Sequence, residues 1–130
     1  MPTVLYVEDS PEESENIQSL FRHKLPKVRL IPALSLDQAI NLAQPVLGDL
    51  RIVFVDGNLS EVRNESPVRY GWEVIETLKG MGFDGRSVYT GTTRLPDNKR
   101  PLFDEVITKN TPSDEEYENR IIEYVQQQLT

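Results

Sequence analysis

Apolar positions in this chain alternate between short unbroken runs and longer stretches where they recur every three or four residues. Residues 3–7 (TVLYV) form a β-rich run too brief for a helix of its own. After Glu8 and Asp9, the segment Ser10-Pro11-Glu12-Glu13 opens a helix. Ser10 can cap it, Pro11 suits the first helical position, and Glu13 completes a capping box. Ile17, Leu20, Phe21 and Leu25 follow at helical spacing, and Pro26 stops the helix. Residues 28–33 (VRLIPA) predict a second, weaker strand. Ser35 then caps a helix with the apolar face Leu36, Ala39, Ile40 and Ala43, with Gln38 at the box position, and Pro45 and Gly48 end it.

Residues 51–55 (RIVFV) read most clearly as a buried strand, ending at Asp56-Gly57-Asn58. Residues 60–70 are polar and irregular, and 71–79 return to helix with Trp72, Ile75 and Leu78 on one side. Gly80, Gly82 and Gly85 break that helix before a strand at 87–89 that ends at Thr90. Leu95-Pro96 and Arg100-Pro101 interrupt the next stretch, so only a short or distorted helix is expected there. A last strand at 106–108 ends at Lys109, and Ser113 or Asp114 caps a helix carrying Tyr117, Ile121, Ile122, Val125 and Leu129. Strand and helix alternating in this way predict an α/β fold, a parallel sheet covered on both faces.

The length of 130 residues fits one domain, with no repeat or linker-like shift in composition. There are no cysteines, which excludes disulfides, thiolate catalysis and Cys-based zinc sites. No apolar run approaches the ~20 residues that span a bilayer, and no basic segment precedes the first apolar run, so neither a membrane nor a secretory signal is expected. With 14 basic and 21 acidic side chains the net charge is −7, which disfavours direct nucleic-acid binding. Solubility accounts for most of that charge; a smaller group of carboxylates is placed where a cation could use it.

In open parallel sheets ligands bind beyond the carboxyl ends of the strands. Four of the apolar runs end in chemically useful residues: Glu8-Asp9, Asp56, Thr90 and Lys109. Clustered carboxylates repel one another, and a hard divalent cation relieves this through oxygen ligands. A lysine ammonium can hold a phosphoryl oxygen, a threonine hydroxyl can donate to another, and a carboxylate can act as nucleophile.

In order and placement these residues resemble the response-regulator receiver family over essentially the whole chain, through VLYVEDS, RIVFVD, VYTGT and VITK. The resemblance implies a flavodoxin-like, doubly wound (βα)5 fold with a five-stranded parallel sheet. It also implies Mg²⁺ bound by Glu8, Asp9, Asp56 and the backbone carbonyl of Asn58, with Asp56 the phosphoacceptor. Thr90 maps onto the switch hydroxyl and Lys109 onto the phosphate-binding lysine. Gly91 is the small residue that leaves the phosphoryl group accessible, and Asn58 and Thr92 tune the lifetime of the phosphorylated state. The implied donor is a histidine kinase or histidine phosphotransfer protein in the cytoplasm. With no output domain expected after the last helix, signalling would pass to a docked protein partner.

Several positions depart from the family pattern. Ser60 stands where a proline is common, and an insertion of about seven residues falls around 60–70. Asn110 follows Lys109 where a cis proline is usual; a cis bond before another residue costs roughly 3 kcal/mol, so a trans bond or an altered loop is expected. Val106 replaces the aromatic switch residue, so readout by an inward-swinging ring is not expected at that position. These departures leave a second reading, a receiver-like binding module that works without phosphorylation. A phosphohydrolase or topoisomerase-primase type domain fits less well: Gly57-Asn58 follows Asp56 where the latter needs Asp-x-Asp, and no separate general acid is evident. An enzyme with turnover is therefore not expected. His23, beside Lys24 near a helix end, reads as a structural or surface residue, and Trp72 as packing.

Overall fold

The computed structural model describes residues 1–57, 59 and 69–129. The chain runs β1 (Thr3–Val7), α1 (Pro11–Lys24), β2 (Arg29–Ala33), α2 (Leu36–Ala43), β3 (Leu50–Val55), α3 (Gly71–Gly80), β4 (Arg86–Tyr89), β5 (Glu105–Val106) and α4 (Asp114–Leu129). Short 3₁₀ segments occupy Gln44–Val46 and Asp97–Leu102. All strand pairings are parallel, and the five-stranded sheet has the order β2-β1-β3-β4-β5. This is the flavodoxin-like, doubly wound architecture.

The strands read as unbroken apolar runs because both faces of the sheet are covered. Leu5, Val7, Val53 and Val55 pack against Ala39, Ala43, Val74, Ile75 and Leu78 beneath α2 and α3. Their neighbours along the strands, Val4, Tyr6, Ile52 and Phe54, pack on the opposite face against Ile17, Phe21, Ile121 and Val125 of α1 and α4. Each fully buried aliphatic side chain in these layers contributes roughly 1.5–3 kcal/mol.

The helix starts use side chains close to those expected. Ser10 accepts from the Glu13 N–H at 3.4 Å, Ser35 from the Gln38 N–H at 3.1 Å, and Ser113 from the Glu116 N–H at 3.2 Å. Gln38 answers by accepting from the Leu34 N–H at 2.6 Å. The start of α3 uses Glu73, whose carboxylate accepts from the Tyr70 N–H at 2.7 Å.

The crossover between β4 and β5 contains no α-helix, because Pro101 lies inside it and removes a donor. Its 3₁₀ turn is tied to β4 by side chains: the Ser87 hydroxyl donates to Leu102 O at 2.6 Å, and the Ser87 N–H donates to Asp104 Oδ2 at 2.9 Å. The last strand is shorter and starts earlier than the apolar run suggested, at Glu105–Val106. Ile107 still donates to Tyr89 O at 2.9 Å, after which local bonds turn the chain away. Of the 60–70 insertion only Arg69 and Tyr70 lie within the described residues. The Leu59 N–H donates to Arg69 O at 3.0 Å, so the insertion leaves and rejoins the fold at adjacent points.

Candidate functional site

In the order β2-β1-β3, the chain reverses its direction of travel across the sheet between β1 and β3. The ladder continues one residue past the strands there. The Glu8 N–H donates to Ala33 O at 2.9 Å, the Asp56 N–H to Val7 O at 3.0 Å, and the Thr90 N–H to Val55 O at 2.9 Å. These bonds line up the ends of neighbouring strands, so residues far apart in sequence converge.

Glu8, Asp9 and Asp56 each offer a carboxylate oxygen, all within 4.8 Å of one another. Glu8 and Asp9 are buried, and the Asp56 side chain is only 16% exposed. Three carboxylates this close in a shielded place are unfavourable without positive charge between them. Lys109 supplies part of it, bonding Glu8 directly and lying 2.9 Å from Glu13 Oε2 and 3.8 Å from Asp56 Oδ1. One ammonium against four acids leaves room for a hard cation with oxygen ligands, and this donor set suits Mg²⁺.

The electrostatics follow from that crowding. Burial first, and the Asp56 charge second, push the Glu8 carboxyl up to about 8 despite the opposing pull of Lys109. Burial works against the Lys109 charge, but Glu8 and Asp56 outweigh it and raise the ammonium above its usual range. Lysine therefore stays cationic across the site. Partial burial pushes the Glu13 carboxyl up, but the hydrogen bond and charge of Lys109, with a hydrogen bond to Glu8, together outweigh it and hold the group below the usual carboxylate range.

The surrounding backbone is shaped for close approach. The Gly57 N–H donates to Asp56 Oδ1 at 2.8 Å and so fixes one face of that carboxylate. Gly91 packs on this same turn, and a Cβ there would lie 2.4 Å from Gly57 N. Its smallness thus serves backbone packing beside Asp56, a demand that precedes any question of phosphoryl access. At Gly71 a Cβ would come within 1.8 Å of Asp56 O, so the start of α3 can approach the end of β3 only with glycine.

The Thr90 hydroxyl is buried and donates to Val55 O at 3.2 Å. Thr92 is exposed at the rim, and Asn58 lies outside the described residues. Asn110 does not displace Lys109 from the cluster. Its N–H donates to Thr108 Oγ1 at 2.8 Å, and the Thr111 N–H donates to Lys109 O at 2.9 Å, so local bonds make the turn. Val106 is half-buried, and the Tyr89 hydroxyl lies over the turn beside Asp56, where a Cβ at Gly57 would meet it at 2.2 Å, and donates to Thr93 O at 2.6 Å.

Some of the site was not read from the sequence. Glu13 was assigned to helix capping, but its carboxylate bonds Lys109 while only its backbone N–H uses Ser10. Its place one turn after Glu8-Asp9 was the available signal. The Tyr6–Tyr117 hydroxyl pair was not anticipated, since nothing in the spacing of apolar residues reports it. His23 is exposed, with its ring Nδ1 2.8 Å from Ser19 O, and Trp72 stacks on Tyr70 with centroids 4.5 Å apart; both play packing or surface roles, as expected.

No protein-family model matches the chain, and no curated protein matches it in sequence. Solved structures do match its fold. One is the N-terminal domain of an uncharacterized protein from Wolinella succinogenes, at TM-score 0.74 and 14% identity, covering 98% of this chain and 93% of that one. A CheY-like response regulator receiver domain from Methylobacillus flagellatus matches at TM-score 0.69 and 21% identity, over 96% and 98% of the two chains. Response regulator TrrA from Thermotoga maritima, solved in complex with Mg²⁺-BeF, matches at 0.69 and 20% identity over 99% and 100%. The fold of this chain is that of a response-regulator receiver domain. Among the described residues no helix is long and apolar enough to cross a membrane.

Proposed function

We propose that the protein is a response-regulator receiver that accepts a phosphoryl group on Asp56 from a histidine kinase or histidine phosphotransfer protein. The observation that carries this reading is the convergence of Glu8, Asp9 and Asp56 within 4.8 Å, with the Lys109 ammonium across them. In transfer, an Asp56 carboxylate oxygen forms a bond to phosphorus as the bond from phosphorus to the donor imidazole nitrogen breaks. The nitrogen leaves with the electron pair, and the product is an acyl phosphate on Asp56.

Mg²⁺ would be held by Glu8, Asp9, Asp56 and the backbone carbonyl of Asn58, and when bound would neutralise carboxylate and phosphoryl charge. Lys109 provides a fixed positive charge for a phosphoryl oxygen, and the Gly57 N–H holds the acceptor's orientation. Thr90 would turn its hydroxyl from Val55 O toward the new anion, and Thr92 with Asn58 would set how readily water reaches it. The protein is then a phosphoacceptor rather than a catalyst with turnover. It would act in the cytoplasm and signal through a docked protein.

The test is intact-protein mass after incubation with acetyl phosphate, with Mg²⁺ or with chelator. A single Mg²⁺-dependent phosphoryl adduct, absent from Asp56→Asn, is expected; an adduct that persists in Asp56→Asn would refute the assignment. The 3₁₀ turn at Asp97–Leu102 and the half-buried Val106 favour a second reading, a module that binds its partner without phosphorylation. That reading requires Asp56→Asn to bind the partner as well as wild type does.

A further inference from the structure

Lys109 has a partner that the acceptor chemistry does not require. Its ammonium lies 2.9 Å from Glu13 Oε2 but 3.8 Å from Asp56 Oδ1. Glu13 stands in the first turn of α1, its backbone fixed by the Ser10 cap, so its carboxylate is presented from a rigid element. The Lys109 side chain is 15% exposed and Glu13 is 50% exposed. The lysine is therefore held between the sheltered Glu8, which it bonds directly, and the outer Glu13 at the rim, and stands farther from Asp56 than from either. Glu12, one residue earlier, is exposed and lies in the same first turn.

We propose that Glu13 is a positioning residue that parks the Lys109 ammonium in the unphosphorylated state and sets how readily the site takes up an anion at Asp56. This rests on the receiver reading above. A phosphoryl group arriving at Asp56 needs the lysine for one of its oxygens, so Lys109 must exchange Glu13 for the new anion. The Glu13 carboxylate also adds negative charge beside the place where that anion must sit. Both effects oppose uptake, so neutralising Glu13 at nearly constant shape favours the anion. The same substitution removes negative field from the cation site and so favours Mg²⁺ less. A purely structural role for Glu13 would weaken both equilibria together or neither.

The experiment is calorimetric titration of wild type, Glu13→Gln and Glu12→Gln, first with Mg²⁺ alone and then with beryllofluoride at saturating Mg²⁺. Glu13→Gln is expected to bind beryllofluoride about two- to fivefold more tightly, the range set by releasing one partly exposed ion pair. Its Mg²⁺ affinity should be equal or weaker, and Glu12→Gln should match wild type in both titrations. Equal or weaker beryllofluoride binding by Glu13→Gln, or the same gain in Glu12→Gln, would overturn the parking role while leaving the receiver reading intact. Absence of Mg²⁺-dependent beryllofluoride binding in the wild type would overturn both. Glu13→Ala and thermal unfolding of each metal-free protein accompany the titrations. A gain seen in Glu13→Gln but lost in an equally folded Glu13→Ala protein would also refute the charge argument.

Discussion

The phenols of Tyr6 in β1 and Tyr117 near the start of α4 meet at 2.7 Å, joining the sheet to the last helix in a buried place. Removing one member of a buried pair strands the other, which costs about 1–2 kcal/mol, whereas removing both costs less than the sum. Tyr6→Phe and Tyr117→Phe should therefore each destabilise, and the double variant should fall short of additivity. Urea unfolding of the three proteins measures this, and strictly additive losses would contradict it.

Burial also holds Tyr117 up to about 12, with hydrogen bonds from Tyr6 and Thr90 and the Lys109 charge opposing and Glu8 adding to the rise. The unfolded phenol titrates near 10, so the folded state retains its proton in the interval between. The sign follows: this contribution to stability is complete below pH ~10 and is lost as pH rises toward ~12. Absorbance titration of phenolate should show late-ionising tyrosines, Tyr6 and Tyr89 also being raised by burial, and Tyr117→Phe should lower the late amplitude by one residue. If the folded variant keeps the same late component in full, Tyr117 is not its source.

The convergence of Glu8, Asp9, Asp56 and Lys109 was legible in the sequence because each ends an apolar run, and a parallel sheet delivers such ends to one edge. Asp56 and Glu8 needed only the strands to be read correctly, since the ladder bonds to Val7 and Ala33 carry them into line. Glu13 was hidden because a capping box explains the same residue at the same spacing, and only the structure decides which bond its carboxylate makes. Asn110 after Lys109 pointed to a trans bond or an altered loop. Thr108 supplies the turn through its hydroxyl, a local compensation that no periodicity reveals. The 3₁₀ turn before β5 was anticipated from Pro96 and Pro101. Its anchoring by Ser87 was not, because a serine within a strand gives no such indication.

Gly91 and Gly80 separate close packing from backbone freedom. A Cβ at Gly91 would meet Gly57 N at 2.4 Å, whereas one at Gly80 meets nothing within 4 Å. Gly91→Ala must push the turn beside Asp56 aside and should cost about 1–3 kcal/mol. It should also lower the yield of acyl phosphate, because the Gly57 N–H that orients Asp56 moves with that turn. Gly80→Ala at the end of α3 should be neutral or stabilise by up to about 1 kcal/mol. Denaturant midpoints and adduct mass, read together, check the pair. A Gly91→Ala protein with wild-type stability and yield would show that the two turns are not in the contact described.

Mg²⁺ should stabilise the native state alone, since only folding brings Glu8, Asp9 and Asp56 together. At roughly tenfold its dissociation constant a ligand of the native state adds about 1.4 kcal/mol, which for a domain of this size raises Tm by a few degrees. Asp9→Asn keeps the shape of the side chain and removes one carboxylate ligand, so the shift at the same Mg²⁺ concentration should largely disappear. Asp84→Asn, an equal charge change at an exposed position in the turn between α3 and β4, should keep it. Thermal unfolding with Mg²⁺ and with chelator distinguishes a ligand effect from general screening, because screening would raise both variants alike. If Asp9→Asn retained the full shift, the cation would have to be held elsewhere, and the grouping of Asp9 with Glu8 and Asp56 as its ligands would be wrong.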